Sequence, residues 1–144
     1  MLKPDAVQRR LTGKIVSMIE EKGLNIIAMR SIRPPKDLVE RHYEVHRGKP
    51  FYPGLVSYIT SGHVVAMCVE GLDAITVMRK LIGATRPSEA LPSTIRGKYG
   101  MQMGRNLVHG SDAVETAEYE LGLWFPNGEI QSWSNDCQNQ WIYE

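Results

Sequence analysis

Two short apolar segments constrain the fold of this chain more than any other feature. Residues 24–32 read LNIIAMRSI and residues 63–71 read HVVAMCVEG, and turn-forming residues follow each. Compact runs of this composition predict buried β-strands. Residues 7–23 and 72–83, in contrast, carry apolar side chains at helical spacing and end in glycine. The chain therefore alternates between predicted strands and predicted helices.

The complete order of predicted elements is strand, helix, strand, helices, strand, helix, loop, strand and helix. The outer strands are short: residues 1–2 form the first, or the end of one whose beginning is missing, and residues 106–109 form the last. Four such strands predict an α+β fold, with a ferredoxin-like βαββαβ antiparallel sheet and helices mainly on one face. Residues 84–104 show no sustained hydrophobic periodicity. This indicates either a functional loop or a helix or strand that the pattern fails to identify.

The length of 144 residues is expected to form a single domain over residues 1–144, with residues 125–144 as a packed C-terminal extension. Lysine and arginine number 17 against 16 acidic residues, so the net charge of +1 does not favour a dedicated nucleic-acid or membrane-surface binder. No apolar run approaches the roughly 18 residues that span a bilayer, and the polar start is unlike a signal peptide. Cys68 and Cys137 show no metal or disulfide spacing, which favours a reducing, cytoplasmic location.

Phosphate-binding residues are present without a standard phosphate-binding loop. The segments TGKI and RGKY lack the leading glycine and the hydroxyl of a Walker A motif, and no G-x-G-x-x-G follows a strand. Guanidinium and hydroxyl groups that can hold phosphate oxygens nevertheless recur between residues 79 and 106. Two interpretations remain open, a phosphate site or the ordinary arginines of surface loops. The candidates are Lys3, Arg79, Thr85, Arg86, Thr94, Arg96, Arg105 and Asn106.

His42 and His46 form a second candidate constellation. They lie four residues apart on a predicted helix, a spacing that can place two imidazoles on one metal ion. A structural zinc site needs four ligands and a catalytic site three, and no third ligand is evident nearby. A helix face with two partly exposed histidines is therefore the favoured interpretation, and a metal-dependent hydrolase is the alternative.

His109 is the residue that local structure does not explain. Gly110 is expected to make a turn, and Ser111 with residues 112–115 has the form of a helix N-cap and capping box. The imidazole is then a structural residue, a general base, a metal ligand or a nucleophile. Glu120, on the following helix, could orient the ring directly or through Ser111. Nearby candidate phosphate ligands favour a histidine that accepts a phosphoryl group.

These segments together resemble one known family, the nucleoside diphosphate kinases. The resemblance extends over almost the whole chain, in order, and NLVHGSD is its most specific block. The matching stretches are KPDAVQR, HYEVHRGKPFYPGLVSYITSGHVVAM, EGLDAI, GATRPSEALPSTIRG, GRNLVHGSDAVETAEYEL, LWF and WIYE.

The resemblance implies an enzyme that transfers the γ-phosphate of a nucleoside triphosphate such as ATP to a nucleoside diphosphate. The transfer takes two half-reactions, through a phosphohistidine at the position of His109. Mg²⁺ would be held mainly by the nucleotide phosphates, with no protein ligands. The other site residues follow from the resemblance alone: Lys3 and Asn106 at the sugar and phosphates, Arg79, Thr85 and Arg96 at the phosphates, Phe51 stacked on the base, Tyr43 beside the phosphohistidine, and Glu120 with Ser111 behind the ring.

The resemblance also implies a homo-oligomer, most simply a hexamer, because the loop at residues 87–97 and the C-terminal tail are similar to those of hexameric members. Met103 stands near the base where the family often has valine, and FYPG replaces the commoner FFPG. Neither departure removes a catalytic residue. The competing hypothesis is a binding or regulatory module that keeps the fold without the chemistry.

Overall fold

The computed structural model describes residues 1–133 and 138–143, and an antiparallel strand pair lies at its centre. Strand β1 (Asn25–Ile32) pairs with β2 (Val64–Glu70) along its whole length, with a bulge near residues 26–28. Both strands occur where the apolar runs predict them. Cys137 and Glu144, which belong to the sequence predictions above, lie outside the described residues.

The two outer predicted strands are each reduced to a single bridging residue. Leu2 bridges Val65 of β2 on one side and Val108 on the other, both in antiparallel sense. The nitrogen of Leu2 donates to the carbonyl of Val65 at 2.7 Å, and the nitrogen of Lys3 donates to the carbonyl of Leu107 at 2.8 Å. The spatial order β1, β2, Leu2, Val108 is that of a ferredoxin-like sheet.

Seven α-helices surround this sheet among the described residues. Most match the predicted helical segments, but the predicted loop at residues 84–104 contains a 3₁₀ turn and a short helix. The predicted helix that carries both His42 and His46 ends at His42, and a 3₁₀ turn contains His46. The helices are α1 (Pro4–Gln8), α2 (Thr12–Glu21), α3 (Lys36–His42), α4 (Tyr52–Thr60), α5 (Ala74–Ile82), α6 (Ile95–Tyr99) and α7 (Val114–Trp124), with 3₁₀ turns at Glu44–His46 and Pro87–Glu89 and a π-helical turn at Gln138–Ile142.

Alternate residues of β2 contribute to two apolar clusters. Val65 packs with the buried faces of α2 and α5, which are the two helices of the βαββαβ unit. Val64 and Ala66 pack with α3, α4 and α7 on the other side. Because side chains alternate across a strand, one short strand holds both clusters together. Val108, next to His109, belongs to the first cluster, so the histidine emerges from a well-packed part of the sheet.

The described part of the C-terminal segment contacts the first residues of β1 and the loop before α5. The nitrogen of Gln131 donates to the carbonyl of Ile27 at 3.5 Å, and the amide of Asn25 donates to the carbonyl of Trp133 at 3.5 Å. The Tyr143 hydroxyl accepts from the nitrogen of Leu72 at 3.2 Å. Within residues 1–133 and 138–143, no helix has the length and apolar character needed to cross a bilayer.

Candidate active site

His109 is anchored through its backbone to the first residue of the chain. The backbone nitrogen of His109 donates to the carbonyl of Met1 at 2.9 Å, and the nitrogen of Met1 donates to the carbonyl of His109 at 2.8 Å. The next residue, Gly110, runs so close to α5 that a Cβ there would lie 2.6 Å from Cδ1 of Ile82. A side chain at this position would have to displace the end of Ile82, and the φ of Gly110 is not among the positive values that mark a glycine turn.

A carboxylate from α7 holds one nitrogen of the His109 ring. Nε2 lies 2.8 Å from Oε1 and 3.0 Å from Oε2 of Glu120. The Ser111 hydroxyl donates to Oε2 of the same carboxylate at 2.5 Å. The predicted capping box is wrong, because α7 begins at Val114 after Ala113, without a side-chain cap. Ser111 supports the carboxylate instead of the helix end.

The pKa values of His109 and Glu120 are both lowered in the folded protein. Burial lowers the pKa of His109 below its usual 6.5, although the hydrogen bond and charge of Glu120 oppose the shift. For Glu120, burial acts to raise the pKa, but His109 and Ser111 outweigh it and hold the pKa below its usual value. The ring is therefore neutral and the carboxylate ionised near pH 7. Since Glu120 can only accept, the ring proton resides on Nε2 and Nδ1 keeps its lone pair.

His42 packs against the ring of His109 from α3. The ring centroids lie 4.4 Å apart with planes at 75°. Its Nδ1 accepts from Nε1 of Trp124 at 3.2 Å, while its Nε2 is buried with no hydrogen-bond partner among the described residues. Burial, followed by the charge of His109, lowers the pKa of His42 to about 3. The prediction of a partly exposed His42 is therefore wrong, because the helix turns this side chain into the core.

The alternative interpretation of His42 and His46 as a metal pair is not supported, because the structure groups His42 with other residues. Within the described residues, His42, His109 and Glu120 bring one potential ligand atom each to within 4.8 Å of one another. Nε2 of His109 already contacts Glu120, and Nδ1 of His42 already accepts from Trp124. Two imidazoles also suit Mg²⁺ poorly, because Mg²⁺ prefers oxygen ligands.

Lys3 and Asn106 meet beside the histidine. The Lys3 ammonium donates to Oδ1 of Asn106 at 2.7 Å, and the Asn106 amide donates to the carbonyl of Thr85 at 2.9 Å. Burial, followed by the charge of Arg96, lowers the pKa of Lys3 to about 8. The structure thus brings together three residues of the predicted phosphate site, Lys3, Thr85 and Asn106. They come from the first residues of the sequence, from the segment 84–104 and from the residues just before the bridge at Val108.

Arg96 is fixed by three backbone carbonyls. Its Nε donates to Asn106 at 3.2 Å, its Nη1 to Gly83 at 3.1 Å and its Nη2 to Val108 at 2.8 Å. Burial, followed by the charge of Arg79, lowers the pKa of Arg96, so both guanidinium charges act on this site. Arg79 itself is exposed on the last turn of α5. Two cations held near one another attract an anion between them.

Three other residues of the predicted phosphate cluster have local partners. The Thr94 hydroxyl caps α6 by accepting from the nitrogen of Gly97 at 3.1 Å. Arg86 lies 3.8 Å from Glu89 at the surface, and Arg105 stacks on the ring of Tyr58. Thr94 is thus a helix cap, which also explains why residues 95–99 are helical.

An aromatic row extends from His109 towards the surface. The ring of Tyr43 lies 5.8 Å from that of His109 and stacks on His46 at 6.1 Å, and His46 contacts Phe51 edge-on at 5.4 Å. The Tyr43 hydroxyl is buried without a hydrogen-bond partner among the described residues, and burial raises its pKa. Phe51 is 54% exposed and Met103 is 53% exposed, as expected for side chains that could contact a planar ligand.

Sequence reasoning missed the groups that shape the backbone before His109. Leu107 has a φ of +71°, and the nitrogen of Leu107 donates to Oδ2 of Asp5 at 3.1 Å. A branched residue in this conformation costs on the order of 1–3 kcal/mol. No local pattern marks Leu107 as unusual. The proximity of Asp5 to Lys3 in KPD is the one signal that could have drawn attention to its carboxylate.

The chain is similar to known proteins over its whole length. The family model described as nucleoside diphosphate kinase matches residues 1–130. A nucleoside diphosphate kinase of Staphylococcus epidermidis is 52% identical over 144 residues, covering 100% of this chain and 96% of the relative. One from Staphylococcus aureus is 51% identical with the same coverage.

Two solved structures extend the comparison to the fold. The enzyme of Halobacterium salinarum, in complex with CDP, has a TM-score of 0.95 and 46% identity, covering 99% of this chain and 95% of the other. The apo enzyme of Encephalitozoon cuniculi has a TM-score of 0.93 and 43% identity, with the same coverage. These values confirm the α+β fold class, and the chain belongs to the nucleoside diphosphate kinase family.

Proposed function

We propose that His109 carries the phosphoryl group in the transfer that defines this family, from a nucleoside triphosphate to a nucleoside diphosphate. The observation that carries the proposal is the contact between Nε2 and both oxygens of Glu120, at 2.8 and 3.0 Å. With Nε2 protonated, the lone pair on Nδ1 is the free nucleophile. A neutral, oriented imidazole is the form that attacks phosphorus.

In the first half-reaction, Nδ1 forms a bond to the γ-phosphorus while the bond between that phosphorus and the bridging oxygen breaks. The nucleoside diphosphate leaves with the electron pair of the broken bond. The phosphorylated ring keeps its proton on Nε2 and becomes cationic, and the ionised Glu120 beside it stabilises that charge. In the second half-reaction, a terminal oxygen of another diphosphate attacks the phosphorus and restores neutral His109.

The cations nearby supply the positioning and charge neutralisation that phosphoryl transfer requires. Arg96 is pinned by backbone carbonyls, so its remaining N–H groups can point at a phosphate with little entropic cost. Arg79 and Thr85 would complete this phosphate cluster, and Lys3 and Asn106 would contact the sugar and phosphates. The unpartnered hydroxyl of Tyr43 is a further donor for the transferred group.

The base would stack on Phe51, with Met103 on the same exposed side of the site. Stacking on a ring face tolerates different bases because every base has a π-face. The solved relative in complex with CDP supports a nucleotide as the ligand here. Specificity for di- and triphosphates would then come from the phosphate cluster.

Members of the family require a divalent cation, and we propose Mg²⁺, which enters with the substrate as the magnesium complex of the nucleotide. The oxygen ligands it prefers are those of the phosphates. The proposal extends to a homo-hexamer and to a cytoplasmic location, the latter supported by the free thiol of Cys68. Size-exclusion chromatography with light scattering tests the hexamer.

The central experiment is transfer of label from [γ-³²P]ATP with Mg²⁺. We expect acid-labile, base-stable label on the protein, released on addition of dTDP as dTTP. The label should disappear in His109→Ala and when Mg²⁺ is chelated, and persist in the control His63→Ala, since His63 is exposed. Label that survives in His109→Ala would assign the nucleophile elsewhere.

A further inference from the structure

The backbone just before His109 adopts a turn that is rarely seen. The nitrogen of Val108 donates to the carbonyl of Asn106 at 2.8 Å, two residues back, and Leu107 between them has a φ of +71°. A hydrogen bond of this span around a positive φ defines the strained form of the γ-turn. Leu107 is fully buried, so its side chain cannot relax towards solvent.

Such a turn persists only where its surroundings hold it. The carbonyl of Leu107 accepts from the nitrogen of Lys3 at 2.8 Å. The carbonyls of Asn106 and Val108, on either side, both accept from Arg96. The nitrogen at the centre of the turn donates to Oδ2 of Asp5 at 3.1 Å. Because the peptide plane rotates with φ, this last contact reports directly on the strained conformation.

Asp5 is itself held in place. Its other oxygen, Oδ1, accepts from the hydroxyl of Tyr58 at 2.5 Å. The guanidinium of Arg105 lies over the ring of Tyr58 at 3.9 Å from the centroid. Burial, followed by the hydrogen bond to Asp5, raises the pKa of Tyr58, so its hydroxyl remains a donor. Arg105, Tyr58 and Asp5 thus form a continuous set of contacts that ends at the turn.

We propose that Asp5 is a positioning residue that holds the γ-turn at Leu107 and thereby fixes the distance between the Asn106 side chain and His109. Asp5 acts through the backbone and does not contact substrate. The inference rests on the proposed roles of His109 as phosphoryl carrier and of Asn106 at the nucleotide. Without the carboxylate, Leu107 relaxes to a negative φ, and the two side chains no longer face the same phosphate.

The test measures single-turnover labelling by saturating [γ-³²P]ATP with Mg²⁺ in Asp5→Ala, recording both the final stoichiometry and the rate. We expect full stoichiometry at a rate about 100-fold below wild type, because a misplacement of about 1 Å costs that much. A purely structural role would instead give fewer labelled molecules at the wild-type rate. That pattern, or a wild-type rate with full labelling, overturns the proposal.

Two further variants keep the test decisive if Asp5→Ala folds poorly. Asp5→Asn retains an oxygen that accepts from Leu107 and an amide that can donate to the Tyr58 oxygen, so its rate should recover to within about fivefold of wild type. Tyr58→Phe removes the hydroxyl and should lose about three- to tenfold. If Asp5→Asn is as slow as Asp5→Ala, the hydrogen bond that Leu107 donates to residue 5 does not determine the rate.

The matched control is Asp37→Ala, which removes an exposed carboxylate whose partner is Arg41 and should label at the wild-type rate. The proposed function and this inference fail in different ways. Label on wild type that His109→Ala does not abolish would refute the phosphohistidine assignment. Label confined to His109, with Asp5→Ala unaffected, would refute only the role of Asp5.

Discussion

His42 and His109 are neighbouring rings of the same residue type in opposite chemical situations. The side chain of His109 is 24% exposed and its Nε2 contacts a carboxylate, whereas the side chain of His42 is 1% exposed and its Nδ1 contacts an indole N–H. The carboxylate fixes a proton on the inner nitrogen of His109 and leaves the other with a lone pair. The indole instead consumes the lone pair of His42 at Nδ1.

The difference shows that a reactive histidine is made by its partner rather than by its burial. Both rings are desolvated enough for burial to be the main cause that lowers their pKa. The Glu120 carboxylate is hydrogen-bonded to His109, at 2.8 and 3.0 Å, and can stabilise the positive charge formed there on phosphorylation. The same carboxylate lies 3.8 Å from Nδ1 of His42, which already accepts from Trp124. His42, placed edge-on at 4.4 Å, fills the space that would otherwise let the reactive ring rotate.

The largest expected effect comes from exchanging each histidine for asparagine. His109→Asn should lower phosphoenzyme formation and nucleotide exchange by about 10⁴-fold or more, because the nucleophile is lost. His42→Asn should lose less than about tenfold, since its side-chain oxygen can still accept from Trp124. Labelling from [γ-³²P]ATP and a coupled exchange assay with dTDP measure both. An inactive His42→Asn that is fully folded would show that His42 takes part in the reaction itself.

The next effect concerns the partner of the reactive ring. Glu120→Gln should slow phosphoryl transfer by about 10- to 100-fold, the range for a lost charge-assisted hydrogen bond. Because Glu120 acts to raise the pKa of His109, its removal should also move the acidic limb of the rate profile to lower pH. Rates of phosphoenzyme formation between pH 5 and 8 test both points. Glu118→Gln, exposed on the same helix, serves as the control, and an unshifted profile in Glu120→Gln would contradict the assignment.

The third prediction concerns stability and the buried ring. The pKa of His42 is lowered from 6.5 to about 3 in the folded state, so between these values the unfolded chain binds a proton that the native protein does not. The free energy of unfolding therefore falls on acidification below about pH 6.5, by up to about 1.4 kcal/mol per pH unit. Denaturant titrations at pH 7.5 and 5.5 should show a smaller fall in His42→Asn. The exposed control His63→Asn should behave as wild type, and equal falls in all three proteins would refute the prediction.

The smallest effect comes from the residue behind the carboxylate. Ser111→Ala removes the donor to Oε2 of Glu120 but leaves the contacts of that carboxylate with His109. A loss of about three- to tenfold in transfer rate is expected, equivalent to one hydrogen bond. Steady-state exchange assays measure it, with Ser17→Ala on the exposed face of α2 as the control. A loss as large as that of Glu120→Gln would mean that Ser111 has a further role.

The strands and the reactive histidine were predictable because each leaves a local pattern. β1 and β2 are compact runs rich in β-branched residues. The apolar residues of α2 and α5 recur at helical spacing, which is visible in the amino-acid sequence itself. His109 is predictable as a candidate because no local structural role explains an imidazole there, although the capping box assigned to its neighbours is absent from the structure. The helix α6 was missed because it is short and is secured by Thr94, a residue that resembled a phosphate ligand.

The amino-acid sequence by itself determined the alternation of strands and helices, the candidate nucleophile and the cationic residues available to a phosphate, because these depend on residue type and spacing. Tertiary structure alone decided which histidine is buried, which nitrogen of His109 meets Glu120, and that Leu107 adopts a positive φ. These features depend on contacts between residues far apart in the sequence, such as that between Asp5 and Leu107, which are 102 positions apart. No local pattern records them, since the free energy that maintains them comes from groups that meet only when the chain has folded.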